Sequence, residues 1–259
     1  GATNTVTGIA TAYCDSIPLV VFTGQVPTQL IGNDAFQEVD IVGITRPCTK
    51  HNFLVKDVRN LAKTIRQAFY LARSGRPGPV LVDLPKDIMQ ARTEFVWPED
   101  IFMRSYNPTY KPNLNQLRRT AEELAKARKP IILAGGGVIM ANASEVLCEL
   151  AHELDIPVAT TLMGLGAFPA NGDLWLGMVG MHGTYAANMS INHADLLVCV
   201  GARFDDRVTG NLATYAKQAK VIHFDIDPAE VNKNVKVDVA VLGDCKETLA
   251  SVTKLLKKN

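Results

Sequence analysis

Two glycine-containing turns follow apolar segments at points where a buried strand would end. Gly135–Gly137 follow the segment 130–134, and Gly201 follows the segment 196–200. Glycine there lets the main chain turn tightly and approach a ligand, and a helix after the turn would offer free N–H groups to a phosphate. The spacing is not that of the GxGxxG fingerprint, so these glycines alone do not separate a ligand site from an ordinary turn.

Charged residues stand at or just after the ends of two apolar segments, 196–200 and 221–225. Asp225 and Asp227 could accept hydrogen bonds from ribose hydroxyls, and Arg203 could bind a phosphate. The alternative is that these residues only form turns and cap helices. Because the carboxyl ends of parallel strands lie along one edge of a sheet, their convergence favours a nucleotide site.

The segment 203–207 holds adjacent carboxylates, Asp205 and Asp206, which would suit acid–base chemistry. Arg203 and Arg207 flank them and would keep both ionised, so an ion-pair network that shapes the ligand site is favoured. His182 lies in a glycine-rich loop, where it is either exposed to a ligand or structural. No second histidine stands at ligand spacing, so we predict no metal site and no complete catalytic set in this chain.

The elements that would position these residues alternate between short apolar runs and amphipathic segments. Strands are predicted at 18–22, 79–83, 130–133, 157–160, 196–200, 221–225 and 239–242. Helices are predicted at 58–72, 117–127 and 143–154. The first has one apolar face, formed by Leu61, Ile65, Ala68, Phe69 and Ala72. Asn142 or Ser144 is predicted to cap the start of the last. The predicted class is α/β with doubly wound parallel sheets.

The composition is that of an ordinary globular protein, and a proline-containing segment divides the chain into two predicted domains. The 259 residues are 47% hydrophobic and 20% charged, with a net charge of +1, which gives no reason to expect nucleic acid or an anionic membrane as partner. An aperiodic segment with three prolines predicts a linker at 92–114, between domains at 1–91 and 115–259. The first segment is short for a domain of this type, so we expect it to be part of one.

The five cysteines are scattered without metal spacing, which suits a reducing compartment. No apolar run has the roughly 18 residues of a membrane span, and the first residues do not resemble a signal peptide. We therefore expect a cytoplasmic location, or an organellar one after processing.

Several strings resemble the catalytic large subunit of acetolactate synthase (acetohydroxyacid synthase), within the thiamine diphosphate enzymes. They are Gly1–Asn4, Gly24–Pro27, Asp34–Glu38, Lys50–Asn52, Ser74–Asp87, Met163–Pro169, Gly177–Thr184, Gly201–Thr209 and Asp225–Pro228. The resemblance runs in order across essentially the whole chain. It implies that residues 1–91 are the later part of a pyrimidine-binding domain and that residues 115–259 are a complete central FAD-binding domain with a six-stranded parallel sheet.

The resemblance also implies a reaction and partners for the full-length enzyme. Two pyruvates, or pyruvate and 2-ketobutyrate, would condense with loss of carbon dioxide on the route to valine, leucine and isoleucine, using thiamine diphosphate, Mg²⁺ and a structural FAD. The family forms homodimers or larger assemblies and pairs with a regulatory small subunit. Its activating glutamate and its Gly-Asp-Gly metal motif have no counterpart among these residues, so the chain alone is expected to be inactive. Alternatives are a pyruvate oxidase or glyoxylate carboligase type of enzyme, or a nucleotide-binding regulatory module.

The resemblance assigns roles to individual positions. The implied FAD-binding residues are Arg76, Gly135, Gly136, Gly137, Thr161, Leu162, Met163, Met181, His182, Gly183, Gly201, Arg203, Asp205, Arg207, Asp225, Ile226, Asp227, Gly243 and Asp244. Phe36 and Gln37 match the active-site edge, and Pro27, Ala35, Lys86 and Asp206 match a substrate and inhibitor channel. The alternatives are an exposed loop arginine for Arg76, a core side chain for Phe36, a helix-end amide for Gln37 and a solvated side chain for Lys86.

Overall fold

The computed structural model describes residues 1–257 and divides the chain into two compact units, Gly1–Pro108 (unit 1) and Thr109–Asn259 (unit 2). The boundary lies inside the segment 92–114. The assignment of the two units to particular domains stays a prediction. Residues 258 and 259 lie outside the described residues.

Unit 1 contains a three-stranded parallel sheet and four α-helices. Its elements are α1 (Val6–Cys14), β1 (Leu19–Gln25), α2 (Ile41–Thr45), β2 (His51–Leu54), α3 (Leu61–Arg73), β3 (Pro79–Pro85) and α4 (Lys86–Gln90), with 3-10 turns at Ala2–Thr5, Thr28–Leu30, Arg46–Cys48 and Val58–Asn60. The strand order β1-β3-β2 makes β3 central. Its Val80, Leu81 and Val82 are fully buried, because apolar side chains on both faces of β3 pack against helices.

Helix α3 differs from its predicted buried face at one position. Ala68, Leu71 and Ala72 are buried, but Phe69 is 52% exposed. Phe69 lies at the border of the apolar stripe, and the helix approaches the sheet through small alanine side chains that leave a large ring outside. The prediction that Phe69 faces the core was wrong.

Unit 2 is built around a larger parallel sheet. Its elements are α5 (Leu114–Lys126), β4 (Pro130–Ala134), α6 (Gly136–Met140), α7 (Ser144–Glu153), β5 (Val158–Thr160), β6 (Trp175–Met178), α8 (Tyr185–His193), β7 (Leu196–Val200), α9 (Asp206–Thr209), β8 (Lys220–Asp225), β9 (Val239–Leu242) and α10 (Cys245–Leu256), with 3-10 turns at Leu162–Gly164 and Pro228–Glu230.

The six strands of unit 2 are all parallel, in the order β6-β5-β4-β7-β8-β9. The chain winds outward from β4 on one side and from β7 on the other, so the strand order reverses between these two strands. The predicted α/β class with doubly wound parallel sheets is confirmed. The sequence patterns missed the edge strands β2 and β6.

Helices cover both faces of this sheet. On one face, side chains of α5, α7 and α10 pack with Ile132 of β4 and Val198 of β7. On the other face, α8 packs with Ile131 and Leu133 of β4. Successive residues of β4 therefore enter opposite cores, which is why the strand is apolar throughout rather than alternating.

Helix α7 begins without the predicted cap. Ala143 is its N-cap residue and makes no side-chain cap bond, and Ser144 is already the first helical residue. Asn142 instead adopts a positive φ of 51° in the turn before it, a conformation that asparagine tolerates well. The prediction of Asn142 or Ser144 as cap was wrong. Among residues 1–257, no helix is long and apolar enough to cross a membrane.

Candidate functional site

The carboxyl ends of the strands of unit 2 are joined to one another by main-chain hydrogen bonds. Gly135 N–H donates to Val200 O at 2.9 Å, and Gly201 N–H donates to Phe224 O at 2.9 Å. Gly243 N–H continues the series to Asp225 O at 3.0 Å. The residues predicted to converge after β4, β7, β8 and β9 therefore lie side by side along one edge of the sheet, which we call the strand-end edge.

The contact at the reversal point between β4 and β7 requires glycine on both sides. Gly201 has φ +57°, and a Cβ added to it would lie 2.7 Å from the Cα of Gly137. Gly137 N–H donates to Gly201 O at 2.9 Å, and Val138 N–H donates to Gly135 O at 3.1 Å. The prediction that this turn leads into a helix with free N–H groups was wrong for these two donors, because the second and third amides of the five-residue helix α6 are already bonded.

The carboxylates of the strand-end edge are engaged within the chain. Asp225 Oδ1 accepts from Asp227 N–H at 2.8 Å, and Asp227 Oδ1 accepts from Ala229 N–H at 3.0 Å. Asp244 caps α10, and Asp205 caps α9 through Val208 N–H. The prediction that these residues form turns and cap helices therefore describes these contacts correctly.

The arginines of the same edge are not paired with acids. Within residues 1–257, neither Arg203 nor Arg207 forms an ion pair, and the guanidinium of Arg207 contacts the sulfur of Met181 at 3.9 Å. Asp206 is an exposed first residue of α9. The predicted ion-pair network was therefore wrong, since Asp205 turns toward a helix amide instead. Two cationic groups remain without a carboxylate partner beside the strand ends.

Apolar side chains are exposed where β5 and β6 end. Leu162 is 68% exposed, Met163 44% and Met181 65%, and His182 beside Met181 is also exposed. Thr161 is buried and caps the turn through Gly164 N–H at 3.1 Å. A flat apolar ligand would cover hydrophobic surface here that water now contacts.

Two remaining residues proposed for this edge lie close to the strands. Ile226 is half-buried between Asp225 and Asp227, and Gly183 N–H donates to Gly180 O at 2.9 Å in the loop after β6. A Cβ on Gly183 would lie 2.4 Å from Met178 O, so that position also requires glycine.

The sequence patterns missed a buried polar cluster beneath the strand-end edge. His223 of β8 is fully buried, and its Nε2 lies 2.9 Å from Ala202 O and 3.4 Å from Asp225 Oδ2. Cys199 donates its thiol to the same Ala202 carbonyl at 3.3 Å. The ring of Phe204 contacts that of His223 edge to face, with centroids 5.2 Å apart. In the sequence, the feature that could have revealed this cluster is a histidine within the otherwise apolar run 221–224.

Two buried hydroxyls close to these strands have no hydrogen-bond partner among the described residues. They are Tyr215 Oη, whose ring packs on Phe204, and Thr160 Oγ1 at the end of β5. Burial raises the pKa of Tyr215, so its hydroxyl stays protonated.

In unit 1, the loop after β1 presents an aromatic side chain to solvent. Phe36 is 89% exposed and Gln37 has φ +61°. The carboxylate of Glu38 accepts from Gly32 N–H and, at 3.1 Å, from Ala35 N–H. The alternatives of a core side chain for Phe36 and a helix-end amide for Gln37 are therefore wrong, since the loop holds both outside the core and outside any helix.

Two further carboxylates hold the chain where this loop begins. Asp83, buried in β3, accepts from Thr23 Oγ1 at 2.8 Å and from Gln25 Nε2 at 3.0 Å. Burial raises the pKa of Asp83, although these hydrogen bonds act in the opposite direction. Asp87 accepts from Thr28 N–H and Oγ1, and these bonds lower its pKa.

The other positions proposed in unit 1 are placed as follows. Pro27 precedes the 3-10 turn at Thr28–Leu30, and Lys86 is the exposed first residue of α4. Arg76 is half-buried, and its Nε donates to Ser16 Oγ at 2.9 Å. Its predicted contact with a flavin stays a prediction. In the described part of the chain, no group of three or more His, Cys, Asp or Glu side chains is arranged to hold a metal ion.

Comparisons with known proteins match both units. Residues 117–252 match the central domain of thiamine pyrophosphate enzymes, and residues 1–44 match their N-terminal TPP binding domain. The chain is similar to the acetolactate synthase isozyme 3 large subunit of Escherichia coli (strain K12), with 53% identity over 260 residues that cover 100% of this chain and 45% of that protein.

Two further relatives come from distant organisms. The acetolactate synthase of Mycobacterium avium is 54% identical over 257 residues, which cover 99% of this chain and 41% of that protein. The probable acetolactate synthase large subunit of Methanocaldococcus jannaschii is 50% identical over 259 residues, covering 99% and 44%. The chain therefore spans less than half the length of these relatives. The resemblance expected from the sequence motifs is confirmed.

Proposed function

The chain belongs to the thiamine pyrophosphate enzyme family, and from that premise we propose that it is part of the catalytic large subunit of an acetolactate synthase. The observation that carries the proposal is its similarity to such subunits along its whole length. The proposed reaction is the condensation of two pyruvates, or of pyruvate and 2-ketobutyrate, with loss of carbon dioxide. Its products would lead to the branched-chain amino acids.

We further propose that the strand-end edge of unit 2 binds FAD. Arg203 and Arg207 form no ion pair among residues 1–257, so their charges are available to a diphosphate. The exposed side chains of Leu162, Met163 and Met181 offer an apolar surface to a flat ring system. Asp225 and Asp227, at and just after the end of β8, bring carboxylates to the same edge, where they could accept hydrogen bonds from hydroxyl groups. These features fit a dinucleotide better than a small anion.

For the reaction itself, thiamine diphosphate supplies the electron sink for decarboxylation when it is bound. We propose that this chain contributes positioning at the edge of the active site. The loop closed by Glu38 presents Phe36 as an apolar wall, and Gln37 beside it offers an amide for hydrogen bonding. Lys86, exposed at the start of α4, would attract the carboxylate of a keto acid. We assign no residue of this chain to Mg²⁺.

Further proposals concern partners and location. We propose a homodimer or larger assembly of large subunits, a regulatory small subunit, and a cytoplasmic location, supported by the family resemblance and by the scattered free cysteines. We also propose that the 259 residues alone do not catalyse the reaction, because the activating glutamate and the Gly-Asp-Gly motif of the family have no counterpart among them.

Product analysis tests the proposed activity. The full-length protein that contains this chain, supplied with pyruvate, thiamine diphosphate, Mg²⁺ and FAD, should form acetolactate, and the 259-residue chain should not. With phosphate and oxygen also supplied, formation of acetyl phosphate, carbon dioxide and hydrogen peroxide from pyruvate would point to a sister enzyme instead. So would formation of tartronate semialdehyde and carbon dioxide when glyoxylate is the substrate. In the full-length protein, Lys86→Met should raise the KM for pyruvate more than it lowers kcat, whereas Lys63→Met on α3 should change neither.

A binding titration tests the proposed flavin site. FAD added to the 259-residue chain should be quenched in fluorescence on binding, and Arg203→Met should weaken binding by about tenfold or more through the loss of a charged hydrogen bond. Arg128→Met is the matched control, because this exposed arginine precedes β4 at the amino end of the same sheet. Equal losses in the two variants would refute a specific site at the strand-end edge.

A further inference from the structure

We propose that His223 is a positioning residue that fixes Arg203 and Asp225 for ligand binding at the strand-end edge. This inference rests on the proposed FAD site and extends it to a side chain that cannot touch the ligand. His223 is fully buried, at 0% exposure, in the middle of β8. Its proposed role is to orient Arg203 and Asp225, which lie at the strand-end edge.

The geometry connects one imidazole nitrogen to two neighbouring strand ends. Nε2 lies 2.9 Å from the carbonyl oxygen of Ala202 and 3.4 Å from Oδ2 of Asp225. Both oxygens are acceptors, so Nε2 must carry the proton. The Nε2–H group therefore donates a hydrogen bond to the loop after β7 and lies within ion-pair distance of the last residue of β8, and we call these two contacts the Nε2 bridge.

Each end of this bridge controls a residue of the proposed site. The Ala202 carbonyl belongs to the peptide unit that joins Ala202 to Arg203, so its hydrogen bond sets the direction in which the chain presents Arg203. Oδ1 of Asp225 is held by Asp227 N–H, and His223 faces Oδ2 of the same carboxylate. One oxygen of the carboxylate is thus hydrogen-bonded and the other lies 3.4 Å from Nε2, and the two contacts together favour one orientation.

The neighbours of His223 indicate that its polar contacts, and not only the packing of its ring, position the strand ends. Cys199 shares the Ala202 carbonyl but does not reach Asp225 by any hydrogen bond in the described structure, so it cannot replace the bridge. Nδ1 of His223 has no partner among residues 1–257, which leaves Nε2 as the nitrogen that makes the polar contacts. A buried polar side chain with only these contacts costs stability unless the Nε2 bridge is formed.

Glutamine and methionine substitutions test the bridge directly. His223→Gln keeps an N–H donor at a similar reach, whereas His223→Met has the same chain length and no donor. Tyr215→Phe is the control within the same buried cluster, because it removes a hydroxyl without a partner in the described residues. For each variant of the 259-residue chain we would measure thermal unfolding, FAD affinity by fluorescence titration, and amide hydrogen exchange at residues 201–205 and at Asp227.

We expect His223→Met to bind FAD about tenfold more weakly and to exchange these amides faster, as loss of a supporting hydrogen bond does at other ligand sites. His223→Gln should stay within about threefold of the parent chain, and Tyr215→Phe should match it. Equal behaviour of the Gln and Met variants, in affinity and in exchange, would overturn the proposal.

The same experiment separates the two proposals. If the parent chain binds no FAD, the proposed flavin site fails, and the exchange data alone decide the role of His223. Faster exchange in the Met variant with normal exchange in the Gln variant then supports positioning, and any other pattern refutes it. If the Met variant does not fold, the Gln variant still decides: a parent-like Gln variant supports the bridge, and accelerated exchange in a folded Gln variant overturns it.

Discussion

The strand-end edge of unit 2 and the loop after β1 in unit 1 hold their proposed ligand-binding residues by different means. In unit 2, main-chain bonds such as Gly135 N–H to Val200 O and Gly201 N–H to Phe224 O tie adjacent strand ends together. In unit 1, the loop is held by side-chain carboxylates, including Glu38 and Asp87, that accept from its amides. Regular sheet geometry positions the first region, and individual ionisable groups position the second.

This difference predicts different sensitivities. A site built from close main-chain contacts cannot accept an added side chain but has few groups that titrate. A loop built on carboxylates tolerates changes of shape but responds to pH through the pKa values of those groups. Three experiments test the comparison, from the largest expected effect to the smallest.

The largest effect is expected from Gly201→Ala. The added Cβ would lie 2.7 Å from the Cα of Gly137 and would also have to adopt φ +57°. We expect a loss of about 3 kcal/mol in the free energy of unfolding, because steric conflict adds to backbone strain. Urea unfolding followed by circular dichroism measures it.

Gly210→Ala is the matched control for this substitution. Gly210 has the same φ of +57°, but no atom lies within 4 Å of its added Cβ. Its ψ of −130° lies outside the left-handed helical region, so it should lose about 2 kcal/mol from backbone strain alone, which is less than Gly201→Ala. If the two variants lose equal stability, the close contact between the turns after β4 and β7 is not what demands glycine.

A smaller effect, of opposite sign for two carboxylates, is expected on acidification. The pKa of Asp83 is raised by burial, so its contribution to stability is fully present below the unfolded pKa of about 3.9 and is lost as the pH rises through the folded value. The pKa of Asp87 is lowered by the Thr28 hydrogen bonds, so its contribution is present above about 3.9 and is lost as the pH falls through the folded value.

The free energy of unfolding would be measured between about pH 7 and about pH 3 for the parent chain, Asp83→Asn and Asp87→Asn. The measurement checks the direction in which each carboxylate changes stability with pH. Toward acid, the stability of the parent relative to Asp83→Asn should rise, by an amount on the order of 1 kcal/mol. Relative to Asp87→Asn it should fall. Parallel curves for all three proteins would show that neither carboxylate titrates differently in the folded state.

The smallest effect on global stability is expected from Glu38→Ala. Its carboxylate holds amides of a surface loop, so the free energy of unfolding should change by less than about 0.5 kcal/mol. The amides of Gly32 and Ala35 should nevertheless exchange faster, because they lose their acceptor. Glu38→Gln keeps one acceptor oxygen and should be intermediate, and exposed Glu94→Ala should change neither amide. Unchanged exchange in Glu38→Ala would mean that the loop conformation does not depend on this carboxylate.

The sequence by itself determined the fold class and most of the sheet. Runs such as 130–134 and 196–200 are apolar at every position, and their short length suits a strand covered on both faces. The strands that escaped prediction, β2 and β6, lie at sheet edges. The other edge strands, β1 and β9, were predicted from apolar runs, whereas β2 contains His51 and Asn52 and β6 contains Gly177, which weaken the apolar signal.

Only the tertiary structure decided which polar groups act on one another. The sequence placed Gly201, Arg203 and Asp225 at strand ends, but not the contact of Gly201 with Gly137 or the bridge from His223 to Ala202 and Asp225. It also suggested ion pairs for Arg203 that the structure does not contain. Local patterns report which residues are buried because burial depends on the residue's own chemistry. Hydrogen bonds and close approaches depend on the partner that folding brings within about 3 Å, and the partners Gly137 of Gly201 and Ala202 of His223 are distant in sequence.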